Sequence, residues 1–285
     1  MDGVPIALAP PAPLTVRHPL RLAVPVVFAS PHSGRAYPPE FVAAARLDPL
    51  FLRRSEDGFV DRLFAAAPDH GAPLLLAEFP RAFCDANREA WELDPSMFDE
   101  RLPGFANTAS PRVGVGLGTI PRVVASGAAI YRTRLPFAEA ERRIAACWQP
   151  YHAALAGLIG ATRAQFGACL LIDCHSMPSA PDSGPDMVLG DAYGTTCAPR
   201  VTRFVEQTLR DLGYTVRRND PYAGGYVTRH YGRPRDGVHA LQIELARRLY
   251  MDEARIEPLA RFDLIREDVT QLIARLTAAA ALLMA

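Results

Sequence analysis

The chain has 285 residues, with 31 basic and 31 acidic side chains and a formal net charge of zero. No Lys- or Arg-rich block stands out, which argues against a general nucleic-acid binder or an electrostatic membrane anchor. The longest apolar run, residues 278–285, is far shorter than the ~20 residues that span a bilayer, and the Pro-rich first twenty residues do not resemble a signal peptide. We therefore predict a soluble, cytoplasmic protein with no nucleic-acid or membrane partner.

Strand-like and helix-like segments alternate along the chain between Pro and Gly residues. The strands are predicted at residues 22–29, 74–79, 169–174, 187–189, 214–217 and 238–245. The helices are predicted near residues 40–52, 58–67, 138–166, 199–212 and 258–283. The third helix carries an apolar stripe, and Pro150 predicts a kink in it.

This alternation predicts a single α/β domain over residues 21–285, with a largely parallel sheet covered by helices on both faces. Residues 1–20 are interpreted as a Pro-rich N-terminal extension. Residues 92–135 are rich in Pro and Gly and only weakly periodic, so we expect a loop-rich insertion that covers the sheet and its substrate.

Two apolar strands end in the pair His-Ser, at His32 and at His175. Sites in such folds lie at the carboxyl ends of strands, and a catalytic zinc ion takes three ligands from His and carboxylate side chains. Glu56 and Asp57 are candidates for the third ligand. Asp57 could equally be a helix N-cap, and His32 could be a hydrogen-bonded structural histidine.

The cysteines are not interpreted as a zinc site, and Cys174 is interpreted as a core residue. Five cysteines without a C-x-x-C pair argue against a disulfide framework or a cysteine-rich zinc site. Cys174 adjoins His175 in the sequence, but side chains alternate across a strand, so the two should point to opposite faces.

Three further groups of residues suggest substrate chemistry. Arg88 could hold a carboxylate through two hydrogen bonds with Asn87 beside it, or could be a surface ion-pair residue. Glu244, near the end of its strand, could be a general base whose pKa is raised by burial, or an exposed edge carboxylate. A loop with Gly224, Gly225, Arg229 and His230 could approach an anion closely, or could be a surface turn.

Seven stretches together resemble the N-formylglutamate amidohydrolase family: SPHSG, SEDGFVD, NRE, PYH, LIDCHSMPS, GGYVTRHYG and GVHALQIELARRLYMDE. The resemblance extends from about residue 22 to about residue 253. It implies a mixed, mostly parallel sheet between helices, similar to that of zinc carboxypeptidases, and one zinc ion per chain. It also implies that His32, Asp57 and His175 bind zinc, that Asn87 and Arg88 hold the substrate carboxylate, and that Glu244 is the general base.

The chain departs from related hydrolases in two places. Carboxypeptidases and aspartoacylases carry two ligands in H-x-x-E, whereas Arg35 stands three residues after His32 here. The acidic ligand must therefore come from further along the chain, and the resemblance favours Asp57 over Glu56 because the better-known deformylases keep an aspartate at that position. In addition, Glu89 follows the Asn-Arg pair where the histidine-degrading enzymes often have Pro, which affects the region next to the substrate carboxylate.

We therefore predict zinc-dependent hydrolysis of N-formyl-L-glutamate, or a similar small N-acyl amino acid, to formate and the free amino acid, as in histidine degradation. A dicarboxylate needs two cationic anchors, which we assign to Arg88 and Arg229. The alternatives are a carboxypeptidase-like metallopeptidase or amidase with another substrate, and a non-catalytic metal- or carboxylate-binding protein.

Overall fold

A seven-stranded sheet forms the centre of the computed structural model, which describes residues 12–179 and 184–284. Its strands, in chain order, are β1 (Leu14–Arg17), β2 (Val26–Ser30), β3 (Leu74–Ala77), β4 (Cys169–Met177), β5 (Met187–Gly190), β6 (Val216–Arg218) and β7 (Val238–Ala246). Their spatial order is β1-β3-β2-β4-β7-β5-β6. A small two-stranded ribbon pairs β8 (Met251–Asp252) with β9 (Glu257–Pro258).

The sheet is mixed and mostly parallel, as predicted. Strands β3, β2, β4 and β7 are parallel neighbours. Strand β1 runs antiparallel to β3, and the β5–β6 pair joins the other side through an antiparallel contact between β5 and β7. The carboxyl ends of β2, β4 and β7 therefore meet at one edge of the sheet, where a site is expected.

Helices cover both faces of the sheet. In chain order they are α1 (Pro39–Ala44), α2 (Pro49–Arg53), α3 (Val60–Leu63), α4 (Pro111–Gly114), α5 (Phe137–Arg143), α6 (Gln149–Phe166), α7 (Pro199–Asp211), α8 (Tyr226–Tyr231) and α9 (Phe262–Met284). A π-helical segment, Ile144–Trp148, connects α5 to α6. No helix of the described ranges is long and apolar enough to cross a bilayer.

Alternating side chains of the buried strands divide the core into two layers. Phe28, Ile172 and Ile243 pack on one face with residues of α3, α7 and α9. Val27 and Leu171 pack on the other face with residues of α1 and α6. Burial of apolar side chains on both faces explains why these strands are almost continuously hydrophobic in the sequence.

The core also contains Cys174, which is fully buried in the layer with α3, α7 and α9, on the face opposite His175 as predicted.

Several predicted elements differ from those observed. Residues 14–17, within the predicted extension, form β1, and residues 1–11 of that extension lie outside the described residues. The first predicted helix is two helices, because Asp48 caps a new one that begins at Pro49. The second is only α3, which begins after Phe59 because that residue has a left-handed backbone with a φ of 66°, and Ala67–His70 forms a separate 3-10 helix.

The remaining helix predictions need smaller corrections. A π-helical segment precedes Pro150, which lies in the first turn of α6 and has no N–H to donate. The last helix begins at Phe262, since Glu257–Pro258 belongs to β9. Helix α8 was not predicted.

The stretch 92–135 is loop-rich, with one short helix, α4, and a 3-10 turn at Pro95–Met97 among its regular elements. It is nevertheless well packed, because Phe98, Ile120, Val124 and Ile130 are buried in the core layer that contains α1 and α6. This layer holds the insertion against the domain.

Candidate active site

A polar cavity of about 250 Å³ opens at the carboxyl ends of β2, β4 and β7. His32 follows β2, whereas His175 lies near the end of β4 and Glu244 near the end of β7. His175 and Glu244 are register partners on neighbouring strands. Asp57 reaches the same place from the turn before α3, which is fastened to the end of β2 because the Asp57 N–H donates to His32 O at 3.0 Å.

His32, Asp57 and His175 form a buried cluster whose potential ligand atoms all lie within 4.8 Å of one another. Nδ1 of His175 lies 2.9 Å from Asp57 Oδ2, and Nδ1 of His32 lies 3.4 Å from the same oxygen. His32 Nδ1 is buried and makes no hydrogen bond. The cluster thus presents two imidazole nitrogens and one carboxylate towards a common point.

Two further buried carboxylates orient the histidines from behind. Asp85 Oδ1 lies 2.7 Å from His32 Nε2, and Asp173 Oδ1 lies 2.9 Å from His175 Nε2. For His32 this contact favours the tautomer with the proton on Nε2, which leaves Nδ1 with a free lone pair. Both ring nitrogens of His175 contact carboxylate oxygens. This arrangement is typical of histidines that ligate a metal.

The electrostatics of the cluster favour a cation. Burial alone would lower the pKa of His175, but the charge of Asp173 and the hydrogen bonds with Asp173 and Asp57 hold it well above its ordinary value. Burial alone would likewise raise the pKa of Asp57, yet the two histidines hold it well below its ordinary range. With the unpartnered nitrogen of His32, these residues fit a divalent metal ion of the zinc type.

The two acidic neighbours have different surroundings. Glu56 points away from the cluster and accepts a hydrogen bond from Arg53 Nε at 3.1 Å. Asp57 Oδ1 accepts from Arg247 Nη2 at 3.1 Å, and Arg247 also donates to Ser176 Oγ. The Asp57 carboxylate therefore has one oxygen directed at the histidines and the other fixed by an arginine.

Glu244 is buried beside this cluster. Gln242 Nε2 donates to Glu244 Oε1 at 2.7 Å, which fixes the carboxylate from its own strand. Burial is the main cause that raises the pKa of Glu244 to about 7, with the charge of Asp57 adding to it and His175 opposing it. A carboxyl group with such a pKa can both accept and return a proton near neutral pH.

Asn87 and Arg88 also line the cavity, and Asn87 Nδ2 lies 3.1 Å from His175 Nε2. The Asn87 N–H donates to Asp85 Oδ1 at 2.8 Å, and Asn87 Oδ1 accepts from the Val227 N–H at 2.7 Å. Arg88 donates through Nε to Leu117 O and through Nη1 to Asn87 O. Its Nη2 lies 3.8 Å from Asp85, too far for a strong hydrogen bond, and so is available to an anion.

The glycine-containing loop contributes only part of what was predicted. Gly224 and Gly225 line the cavity, and a Cβ at Gly225 would lie 2.6 Å from Asn87 Cγ, so only glycine fits there. Arg229 and His230 are exposed on α8 and are not among the described residues that line the cavity. Arg229 Nε donates instead to Gly224 O, and His230 stacks on Tyr226.

Several further residues of the site were not predicted from the sequence. Asp173 precedes His175 by two residues on the same strand, so the period of two could have placed both side chains on one face. Arg81 pairs with Asp85 at 2.9 Å, and both lie in the turn after β3. Arg112, Arg81 and Arg247 all line the cavity, and no local pattern marks them as site residues.

Comparisons with known proteins give this fold and cavity a class. The structure matches the crystal structure of an N-formylglutamate amidohydrolase from Ralstonia eutropha JMP134, with a TM-score of 0.88 and 39% identity over 94% of this chain and 98% of that one. A gene product of Agrobacterium tumefaciens shares the fold at 18% identity, with a TM-score of 0.64. The protein is an amidohydrolase.

The sequence comparisons identify the family. The family model of N-formylglutamate amidohydrolase matches residues 24–251. An N-formylglutamate deformylase of Pseudomonas aeruginosa is 34% identical over 81% of this chain and 83% of its own. Another from Pseudomonas putida is 31% identical, over 87% of each. The chain belongs to the N-formylglutamate amidohydrolase family.

Proposed function

We propose that this protein hydrolyses N-formyl-L-glutamate to formate and L-glutamate, with one zinc ion held by His32, Asp57 and His175. The proposal is supported by the buried His–Asp–His cluster, in which His32 Nδ1 has no partner. The Glu244 carboxyl group lies beside this cluster, and its pKa is raised. The names of the similar proteins supply the substrate.

A bound zinc ion would supply two kinds of chemistry, an acidified water nucleophile and polarisation of the formyl oxygen. Glu244 takes the proton as the water oxygen adds to the formyl carbon. It returns the proton to the amide nitrogen as the C–N bond breaks, so that formate and the free amine leave. Gln242 keeps Glu244 Oε1 in place through its 2.7 Å hydrogen bond during both transfers.

The α-carboxylate of the substrate binds at Arg88 and Asn87 in this proposal. Burial lowers the pKa of Arg88, but a guanidinium starts from a value so high that it stays charged. Its contacts with two backbone carbonyls hold the planar group still, which reduces the entropy lost when a carboxylate docks. Arg88 and Asn87 together form an α-carboxylate clamp, which fixes the distance between the formyl carbon and Glu244.

A substrate panel tests the proposal. Formate or acetate release is measured from N-formyl-L-glutamate, from N-acetyl-L-glutamate and from an N-formyl amine without an α-carboxylate, each with and without added zinc. We expect zinc-dependent turnover of N-formyl-L-glutamate and poor turnover of the other two. Equal turnover of the compound without a carboxylate would contradict the assigned clamp, and no turnover of any N-formyl compound would contradict the reaction.

A further inference from the structure

We propose that Arg112, in the insertion, binds the side-chain carboxylate of the substrate and so makes the enzyme selective for dicarboxylates. The inference rests on the proposed function and replaces the assignment of this role to Arg229. Arg229 is not among the described residues that line the cavity, whereas Arg112 is, and the Nε of Arg229 is already used by a 3.1 Å hydrogen bond to Gly224 O.

Four arginines line the cavity, and two of them, Arg81 and Arg247, form hydrogen-bonded ion pairs with carboxylates. Arg81 Nη2 lies 2.9 Å from Asp85, Arg247 Nη2 lies 3.1 Å from Asp57, and Arg88 Nη2 lies 3.8 Å from Asp85. Within residues 12–179 and 184–284, no carboxylate pairs with the Arg112 guanidinium, and no hydrogen bond holds it. Besides Arg88, an anion that enters the cavity therefore finds a second guanidinium without a hydrogen-bonded carboxylate partner among the described residues, that of the exposed residue Arg112.

The backbone fixes Arg112 next to the proposed α-carboxylate clamp. The Arg112 N–H donates to Ser110 Oγ at 3.1 Å, and Ser110 donates in turn to Glu92. Leu117 connects the two arginines, because its N–H donates to Arg112 O at 2.8 Å and its carbonyl accepts from Arg88 Nε at 2.8 Å. The backbone of Arg112 is thus joined to the residue that holds the Arg88 guanidinium, and both arginines line the cavity.

The two positive charges of Arg88 and Arg112 correspond in number to the two carboxylates of the proposed substrate. Burial lowers the pKa of Arg88, and the positive charges of Arg81 and Arg112 lower it further, so Arg112 lies close enough to repel Arg88. In glutamate only three carbon atoms separate the two carboxyl groups. A carboxylate at Arg88 and a second at Arg112 would relieve this repulsion, whereas a substrate with an apolar side chain leaves Arg112 uncompensated.

The experiment compares Arg112→Gln with the parent protein on N-formyl-L-glutamate and on N-formyl-L-norvaline, in which a methyl group replaces the side-chain carboxylate. Loss of a charged hydrogen bond should lower kcat/KM for the glutamate compound by roughly 10- to 100-fold, and change the norvaline compound by less than about threefold. Arg101→Gln, an exposed arginine of the same insertion outside the cavity lining, is the matched control and should behave like the parent.

Two results would overturn the inference. One is an equal loss on both substrates in Arg112→Gln, and the other is a selective loss on the glutamate compound in Arg229→Gln but not in Arg112→Gln. Calorimetry of L-glutamate binding tests the same contact without turnover. Arg112→Gln should weaken the affinity for L-glutamate by roughly 10- to 100-fold. A parent protein that binds L-glutamate through Arg112 but releases no formate would contradict the proposed function alone.

Discussion

A carboxyl group buried beside another carboxylate holds its proton more tightly than one in water, and Glu244 lies in such a place. Glu244→Gln keeps the shape and the neighbouring Gln242 but cannot accept a proton. We expect kcat to fall by roughly 10²- to 10⁴-fold, as is typical of a lost general base. The zinc content of the variant should match that of the parent, and a nearly active variant would exclude this role.

The dependence of kcat on pH in the parent protein should show the titration of Glu244. The deprotonated form of Glu244 is the active one, so kcat should be full above its pKa and should fall as the pH drops through it. Burial places that pKa at about 7, and a cation in the adjacent cluster lowers it. A steady-state profile should therefore have an acid limb at or below about pH 7, and this limb should be missing in Glu244→Gln.

Asp57 and Glu56 are a matched pair for testing the acidic ligand. Asp57→Asn should weaken zinc binding by more than the roughly 10- to 100-fold typical of residues that only support a ligand. Glu56→Gln should keep about one zinc per chain, since Glu56 pairs with Arg53 outside the cluster. Metal analysis after gel filtration measures both. If Glu56→Gln loses the metal and Asp57→Asn keeps it, the ligand assignment is wrong.

The sequence was sufficient to predict site residues that directly follow a predicted strand. It was not sufficient to predict site residues that lie on other turns or in the insertion. His32 and His175 stand at the carboxyl ends of apolar runs, where sites of α/β sheets lie. Arg247 reaches Asp57 from a 3-10 turn after β7, and Arg112 reaches the cavity from the insertion. Only the packed chain brings these two arginines to the site, because their local sequence has no distinctive pattern.

Helix α6 and the π-helical segment before it support the turn that carries Asn87 and Arg88. His152 Nε2 lies 2.8 Å from Ala86 O, its Nδ1 lies 2.9 Å from the Tyr231 hydroxyl, and Trp148 donates to Arg88 O. Burial lowers the pKa of His152 to about 4, although the hydrogen bond to Ala86 alone would raise it. The folded structure therefore favours the neutral form of the His152 imidazole.

This pKa predicts a pH dependence of stability. His152 has a lower pKa in the folded chain than in the unfolded chain, so its contribution is complete above about pH 6.5 and is lost as the pH falls towards 4. The slope is about 1.4 kcal/mol per pH unit in that window. Urea unfolding of the metal-free protein at pH 7 and pH 5 should show a larger loss for the parent than for His152→Gln. Equal losses would contradict the assignment.

The elements that the sequence missed depend on contacts distant in the chain. Strand β1 has only four residues in a Pro-rich context and exists through its pairing with β3. Helix α8 follows Gly225, and the N–H of Val227 donates to the Asn87 side chain. Glycines before a short polar segment indicate a loop by local rules alone. The buried strands β2, β4 and β7 were predictable because their hydrophobicity is local.

The sheet as a whole brings the three proposed ligands together from distant parts of the chain, and the unfolded chain has no such site. Zinc should therefore stabilise the native state, by about 4 kcal/mol when free zinc is ~1,000 times its dissociation constant. We expect chelation to lower the Tm by roughly 5–10 °C. The Tm of His175→Ala should not respond to zinc, and a parent protein without any response would have no such site.

A zinc titration of the chelator-treated protein, followed by formate release from N-formyl-L-glutamate, tests whether the buried His–Asp–His cluster is the metal centre of the reaction. If His32, Asp57 and His175 form the one metal centre of the reaction, the rate should rise in proportion to added zinc and level off at one zinc per chain. Full activity of the metal-free protein, or a rate that keeps rising to two zinc ions per chain, would contradict the account.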